Sequence, residues 1–145
     1  MSGIGQQEPV VTVVVDVANV MGARADGWWR DRAGAALRLC RQVAALAAGG
    51  IAADRMPGGL PAPGVWVLVL EGRARDAADD CAEAAAGVAR VRVVAAPGSG
   101  DDAIVREVAS ADGACLVVTA DRELRRRCAA AGASVTGPGW LLGLL

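Results

Sequence analysis

Acidic residues follow the apolar runs of this sequence at the points where β-strands would end. The first, second and fourth of the predicted strands are each followed by a carboxylate, from Asp16, Glu71 and Asp121 respectively. Asp101 and Asp102 open the helix that follows the third strand. Because the carboxyl ends of parallel strands meet at one edge of a sheet, we expect these side chains to converge there.

Such a cluster of carboxylates favours a bound divalent cation. Two like charges about 4 Å apart repel by about 4 kcal/mol at an effective dielectric constant of about 20, and a cation removes this repulsion. Oxygen-only ligand sets are typical of Mg²⁺ or Mn²⁺, and Asn19, three residues after Asp16, adds a neutral amide oxygen. We therefore predict Mg²⁺ or Mn²⁺ as the cofactor, with ligands from Asp16, Glu71, Asp101, Asp102 and Asp121. Each of these residues has a simpler alternative role as a helix cap or loop residue.

The composition excludes several classes of enzyme. The sequence contains no histidine, and all 15 of its basic residues are arginine. A Ser-His-Asp or Cys-His nucleophile, a Walker A lysine and a Schiff-base lysine are therefore excluded. The four cysteines form no CxxC pair, which indicates small buried apolar side chains more than disulfides or a zinc site. The net charge of −1 provides no overall basic field, so any nucleic-acid site must be local.

Hydropathy places the chain among folded proteins outside the membrane. Hydrophobic residues make up 54% of the chain, which excludes a disordered protein. No apolar run reaches the roughly 18–20 residues that a membrane helix needs, and residues 1–9 lack the basic start of a signal peptide. We therefore expect a cytoplasmic protein that makes no membrane contact.

Strand and helix patterns alternate along the chain, which predicts an α/β fold with a mostly parallel sheet of four to five strands. We predict strands over residues 10–15, 65–70, 91–95, 115–119 and 133–136. Helices are predicted over about 30–48, with Asp26 or Asp31 as the cap, and over about 76–87, 101–111 and 122–131. A loop through Gly22 and Gly27 is predicted after Asp16-Val-Ala-Asn19, and a second loop is predicted over 49–64. One domain would span residues 1–145, with its core at about 10–136. The apolar tail over 137–145 should pack on that core or on a partner, with Trp140 as its anchor.

Three motifs resemble those of a known family. Asp16-Val-Ala-Asn19, at the end of the first strand, resembles the opening motif of the PIN-like nucleases, particularly of their NYN branch. Gly100-Asp-Asp-Ala-Ile-Val105 resembles the acidic helix start of that family, and Val117-Val-Thr-Ala-Asp-Arg-Glu-Leu124 resembles its fourth-strand motif. The resemblance extends from about residue 10 to residue 136. It implies a single Rossmann-like three-layer domain and metal-dependent hydrolysis of RNA phosphodiester bonds.

The resemblance implies catalytic roles for Asp16, Asp102 and Asp121, with Asn19 and Asp101 beside them. A metal ion would lower the pKa of the attacking water and stabilise the leaving oxygen without a histidine. The chain departs from the family pattern at the second acidic position, where many PIN domains have a glutamate in a mid-chain helix. Either Glu71 or the helical acidic face formed by Asp79, Asp80 and Glu83 is available for it. We favour Glu71 because it follows a strand directly.

Contacts to RNA would come from arginines and tryptophans near the acidic edge. Arginine suits phosphate because its planar guanidinium binds two oxygens at once, and tryptophan stacks on unpaired bases. We expect the substrate contacts to include Asn19, Trp28, Arg73, Arg122 and Arg125, and the RNA to be single-stranded. The alternatives are solvated helix faces for the arginines and core packing for Trp28.

Two other functions fit the same pattern. A catalytically weak or inactive module on this fold would bind RNA or act as a scaffold, which the doubtful second acidic position and the modest charge favour. Hydrolysis of small phosphate esters or nucleotides would need only the same metal centre. A homodimer or an antitoxin-like protein partner is compatible with the apolar tail.

Overall fold

The computed structural model describes residues 11–88 and 90–145. Its centre is a sheet of five strands, all parallel, in the order β3-β2-β1-β4-β5. The strands are β1 (Val11–Asp16), β2 (Pro63–Leu70), β3 (Val91–Ala95), β4 (Cys115–Val118) and β5 (Ser134–Thr136). The α/β fold and the parallel sheet are therefore confirmed. Val10, which we assigned to the first strand, and residues 1–9 lie outside the described residues.

Helices cover both faces of the sheet and give the domain three layers. The helices are α1 (Val17–Gly22), α2 (Arg32–Gly49), α3 (Ala78–Ala85), α4 (Gly100–Ser110), α5 (Arg122–Ala130) and α6 (Pro138–Leu142). One buried cluster joins α1, α2, α3 and α6 to one face of the sheet. A second buried cluster joins α4 and α5 to the opposite face.

The sequence of β1 explains why it lies at the centre of the sheet. Val13 and Val15 belong to one buried cluster, whereas Val14 belongs to the other, as the alternation of side chains along a strand requires. A strand covered on both faces is a continuous apolar run, and β-branched valines suit its extended backbone. β1 therefore holds its last residue, Asp16, at a fixed position in the centre of the sheet edge.

Several predicted elements differ from the structure. Residues 17–22, where a loop through Gly22 and no helix was predicted, form α1, which Asp16 caps and in which Val17, Val20 and Met21 are buried against the core. The helix predicted over about 76–87 is a 3₁₀ helix at Gly72–Ala77 followed by the shorter α3. The loop predicted over 49–64 contains two short 3₁₀ turns, and β2 begins at Pro63 rather than at residue 65.

Other local predictions are confirmed. Asp31 caps α2 by accepting a hydrogen bond from the Gly34 amide at 2.9 Å. All four cysteines are buried and free. The tail packs on the core, since Leu141 is fully buried and the Trp140 indole donates a hydrogen bond to the carbonyl of Arg55 at 2.8 Å. Within the described part of the chain, no helix is long and apolar enough to cross a membrane.

Candidate metal and nucleic-acid site

The candidate site lies where the strand order reverses. The chain steps from β1 to β2 and β3 on one side and then returns to place β4 on the other side of β1. In open α/β sheets the crevice beyond the carboxyl ends of the strands at such a point is the usual ligand site. Asp16 ends β1, Glu71 follows β2, and Thr119 and Asp121 follow β4. We call this region the acidic edge, and it comprises Asp16, Glu71, Asp101 and Asp121.

Asp16 is a buried carboxylate held by two hydrogen bonds. Only 6% of its surface is exposed. Its Oδ2 accepts a hydrogen bond from the Thr119 hydroxyl at 2.9 Å, and its Oδ1 accepts one from the Asn19 amide at 3.3 Å. These contacts tie the end of β1 to the start of α1 and to the segment after β4.

A second pair of contacts links the same two segments. The side-chain oxygen of Asn19 accepts a hydrogen bond from the Ala120 amide at 2.8 Å. The Thr119 hydroxyl also accepts one from the Asp121 amide at 3.2 Å, and Asp121 caps α5 by accepting from the Leu124 amide at 3.0 Å. Asn19, proposed as a substrate contact, is therefore engaged through its oxygen in holding the β4 loop. Thr119, to which we gave no role, connects the two strand ends.

Glu71 and α4 meet on the other side of Asp16. Oε2 of Glu71 accepts a hydrogen bond from the Gly100 amide at 2.7 Å. A Cβ atom at position 100 would lie only 2.6 Å from that oxygen, so any other residue there would force the Glu71 side chain to shift. The glycine that begins the acidic helix motif therefore brings the start of α4 against the residue that follows β2.

Asp101 and Asp102 differ in their surroundings although they are adjacent. Asp102 forms a salt bridge with Arg127 of α5 at 2.9 Å, and its side chain is 58% exposed. Asp101 is the residue whose pKa responds to the carboxylates of Asp121 and Glu71. We had expected Asp102 to join Asp16 and Asp121, but its carboxylate is directed to Arg127. The cause is the rotation of α4, which Ser99 caps through the Asp101 amide at 3.1 Å.

Burial and neighbouring negative charges at the acidic edge raise the pKa values of Asp16 and Asp101. The pKa of Asp16 is raised from 3.8 to about 6: burial is the largest cause, the hydrogen bonds from Thr119 and Asn19 act in the opposite direction, and the charges of Glu71 and Asp101 add to the rise. Burial is also the main cause that raises the pKa of Asp101, followed by the negative charges of Asp121 and Glu71. Neighbouring negative charges thus disfavour ionisation of Asp16 and Asp101, which is the condition a cation would relieve.

The donor atoms suit Mg²⁺ or Mn²⁺, but they do not form a closed cage. Among residues 11–88 and 90–145, no group of three or more acidic or cysteine side chains is arranged to hold a metal ion. Mg²⁺ commonly keeps several waters and uses one or two carboxylates together with substrate phosphates. The acidic edge is open and the pKa values of Asp16 and Asp101 are raised, so a cation held there would be bound in this way, by few protein ligands.

The alternative acidic residues lie on α3. Asp79, Asp80 and Glu83 are all exposed on that helix. The carboxylates whose charge raises the pKa of Asp16 are those of Glu71 and Asp101, and α3 contributes none of them. This contrast favours Glu71 for the second acidic position.

The predicted RNA contacts have different surroundings. Trp28 is half-buried against the core, and the guanidinium of Arg32 lies 5.3 Å from its ring centroid. Arg73 and Arg122 are exposed. Arg125 is partly buried, and its Nε is buried without a hydrogen-bond partner among the described residues.

The chain matches no protein-family model, and a search of curated proteins finds no relative. The resemblance to PIN-like nucleases consequently rests on the three motifs and stays a prediction. The structure adds two features that the motifs did not reveal, namely the role of Thr119 and a cavity beside Glu71. The available sequence signal for the role of Thr119 was a threonine between an apolar strand and an aspartate. No sequence pattern indicated the cavity.

Proposed function

We propose that this protein hydrolyses RNA phosphodiester bonds with the help of Mg²⁺ or Mn²⁺ bound at the acidic edge. The observation that carries the proposal is the position of Asp16, Glu71, Asp101 and Asp121, which lie at the end of β1, after β2, at the start of α4 and after β4. The hydrogen bonds from Thr119 to Asp16 and from Gly100 to Glu71 bring these four segments together. Neighbouring carboxylates contribute to the raised pKa values of Asp16 and Asp101, which agrees with this arrangement.

The residues would divide the work as follows. Asp16, Asp101 and Asp121 would hold the cation, which would lower the pKa of a water molecule and stabilise the leaving oxygen. With a pKa of about 6, Asp16 is ionised at neutral pH and available as a ligand. Asn19 and Thr119 would position Asp16 and Asp121 through the hydrogen bonds that join the ends of β1 and β4.

RNA is favoured over a small phosphate ester by the surface around the acidic edge. Trp28, the exposed Trp29 and Arg30 lie between α1 and α2, and Arg32 begins α2. Within residues 11–88 and 90–145, neither arginine forms a salt bridge, and each guanidinium lies over a tryptophan ring. Tryptophans and arginines without acidic partners are the residue types that contact the bases and phosphates of a single strand.

RNA binding without cleavage is the second candidate function. Asp102 is paired with Arg127, and no ready-made group of three metal ligands is present in the described chain. A protein without a complete metal site would still bind RNA through the tryptophans and arginines beside the acidic edge. Cleavage and binding therefore have to be measured separately.

The test is cleavage of end-labelled single-stranded RNA in Mg²⁺, in Mn²⁺ and in EDTA. We expect cleavage in both metals and none in EDTA. Asp16→Asn should lower the rate at least ~100-fold, the scale of loss when a group acting at the reacting atoms is removed. Asp79→Asn is the matched control, because it removes the same charge from the exposed face of α3 and should leave the rate unchanged.

The outcomes separate the candidates. RNA binding in Ca²⁺ without cleavage in Mg²⁺ or Mn²⁺ would replace the proposal with the binding module. Cleavage of nucleotides or small phosphate esters but not of RNA would reassign the substrate. Equal loss in Asp16→Asn and Asp79→Asn would remove the acidic edge as the site.

A further inference from the structure

A cavity opens beside the acidic edge and shares Glu71 with it. Its volume is about 340 Å³, at the small end of the ~300–1,000 Å³ typical of ligand sites. The residues around it include Ala18, Met21, Trp28, Arg32, Glu71 and Gly98. This volume suits one unpaired nucleobase with its ribose, whereas a base in a duplex remains stacked between its neighbours.

Trp28 provides the aromatic wall of the cavity. Its ring packs against the buried cluster on one side and meets the Trp29 ring edge to face, with centroids 6.2 Å apart and an angle of 89°. These contacts fix the orientation of the ring. The Arg32 guanidinium lies over the ring at 5.3 Å from its centroid, so this cation covers part of the Trp28 face and lies beside the cavity.

The charged residues that line the cavity are Glu71 and Arg32. The Gly100 amide holds Oε2 of Glu71 at 2.7 Å, and no described residue donates a hydrogen bond to Oε1. An ionised carboxylate only accepts hydrogen bonds, and a guanidinium only donates them. A ligand that satisfies both must carry donors on one part of its edge and acceptors on another.

We propose that this cavity binds a guanine base of single-stranded RNA next to the bond that is cleaved. Guanine offers donors at N1 and N2 for Glu71, and acceptors at O6 and N7 for Arg32, whereas adenine presents one amino donor beside its N7 acceptor. The placement of the base beside the cleaved bond rests on the proposed function. The guanine specificity of the cavity does not.

The test uses nucleosides, which carry no phosphate, so that their binding depends on neither a metal ion nor the carboxylates of Asp16, Asp101 and Asp121. Guanosine, inosine, adenosine and cytidine are titrated into the protein in EDTA, and the indole N–H signals are followed by NMR. Guanosine should bind at least ~10-fold more tightly than adenosine, the lower end of what one bidentate base contact contributes. Inosine, which lacks the N2 amine, should fall between them. Equal affinities, or no saturable shift, would overturn the proposal.

Two variants test which side chains of the cavity contact the base. Glu71→Gln keeps the shape of the side chain and an oxygen for the Gly100 amide, and it should weaken guanosine ~10-fold while adenosine changes less than ~3-fold. Trp28→Ala should weaken the binding of every nucleoside. Asp79→Asn is the control and should leave the affinities for guanosine and adenosine unchanged. Unchanged guanosine affinity in a folded Glu71→Gln protein would contradict the proposal.

Failure of this inference is distinguishable from failure of the proposed function. Guanosine selectivity without metal-dependent cleavage would support the cavity and remove the nuclease. Cleavage without base preference, together with no nucleoside binding, would support the nuclease and overturn the cavity.

Discussion

The two halves of the acidic edge hold their carboxylates differently. On the β1–β4 half, Asp16 is buried, and hydrogen bonds from Thr119 and Asn19 account for both of its oxygens. On the β2–α4 half, Asp101 lies at the start of α4, where the Ser99 hydroxyl accepts from its amide, and the neighbouring Asp102, outside the acidic edge, forms a surface ion pair. Burial gives Asp16 a fixed geometry at a cost in stability, whereas the exposed side chain of Asp102 is able to adjust.

The difference matters for metal binding. A buried carboxylate with a raised pKa destabilises the native state when it ionises, and a cation bound only to the native state offsets that loss. An exposed pair such as Asp102–Arg127 contributes little, because water and salt screen it. We therefore expect large effects of pH and mutation on the β1–β4 half and small ones on the β2–α4 half.

The largest expected effect is that of pH on Asp16. Its native pKa of about 6 exceeds its ordinary value of 3.8, so the native state binds the proton more tightly and stability falls as pH rises between about 4 and 6. A shift of about two units corresponds to about 3 kcal/mol. Asp16→Asn should remove most of this pH dependence in urea unfolding followed by tryptophan fluorescence, and Asp79→Asn should retain it. An unchanged pH profile in Asp16→Asn would show that Asp16 is not the group that titrates.

The next effect is that of Thr119→Val. The substitution removes the hydroxyl that donates to Asp16 and accepts from the Asp121 amide. Loss of a buried hydrogen bond to a charged group costs about 2 kcal/mol, so we expect that reduction in the free energy of unfolding at neutral pH. The loss should be smaller at pH 4, where Asp16 is protonated. Equal losses at the two pH values would contradict the assignment of the hydroxyl to the charged carboxylate.

Ser99→Ala gives a smaller effect on the opposite half. Its hydroxyl caps α4 by accepting from the Asp101 amide. Removal of a helix N-cap costs about 1 kcal/mol, and the loss should be independent of pH between 4 and 7. A pH-dependent loss equal to that of Thr119→Val would remove the distinction between the halves.

The smallest effect is expected for Asp102→Asn. The salt bridge with Arg127 lies at the surface, where such pairs often contribute nothing measurable. Its melting temperature in moderate salt should match that of the wild type. A clear drop would show that the β2–α4 half depends on this pair more than its exposure indicates.

The parts of the fold that follow from local sequence patterns could be predicted from the sequence. Valine-rich runs indicated buried parallel strands, and Asp16 and Asp121 could be placed at strand ends because their neighbours are apolar on both faces. Which of Asp101 and Asp102 joins the acidic edge could not be predicted. Consecutive helical residues point about 100° apart, so the answer depends on the rotation of α4, which its cap and the Glu71–Gly100 contact fix.

Other features depend on tertiary packing that no local pattern encodes. α1 looked like a loop because six residues are too few for a clear helical period, and it is stabilised by the Asp16 cap and by burial of Val17 and Val20. The buried Nε of Arg125 likewise could not be predicted from helical spacing. The cavity beside Glu71 is formed by segments distant in the sequence.

Paramagnetic broadening of amide NMR signals by substoichiometric Mn²⁺ tests most directly whether the acidic edge binds a cation. Mn²⁺ broadens the signals nearest to it, so the bound position can be read from the assigned spectrum. We predict that the amides of Asn19, Gly100 and Ala120 broaden first, and that Asp16→Asn abolishes this pattern while Asp79→Asn preserves it. Broadening centred on the exposed acidic face of α3, or spread evenly over all surface carboxylates, would contradict the account.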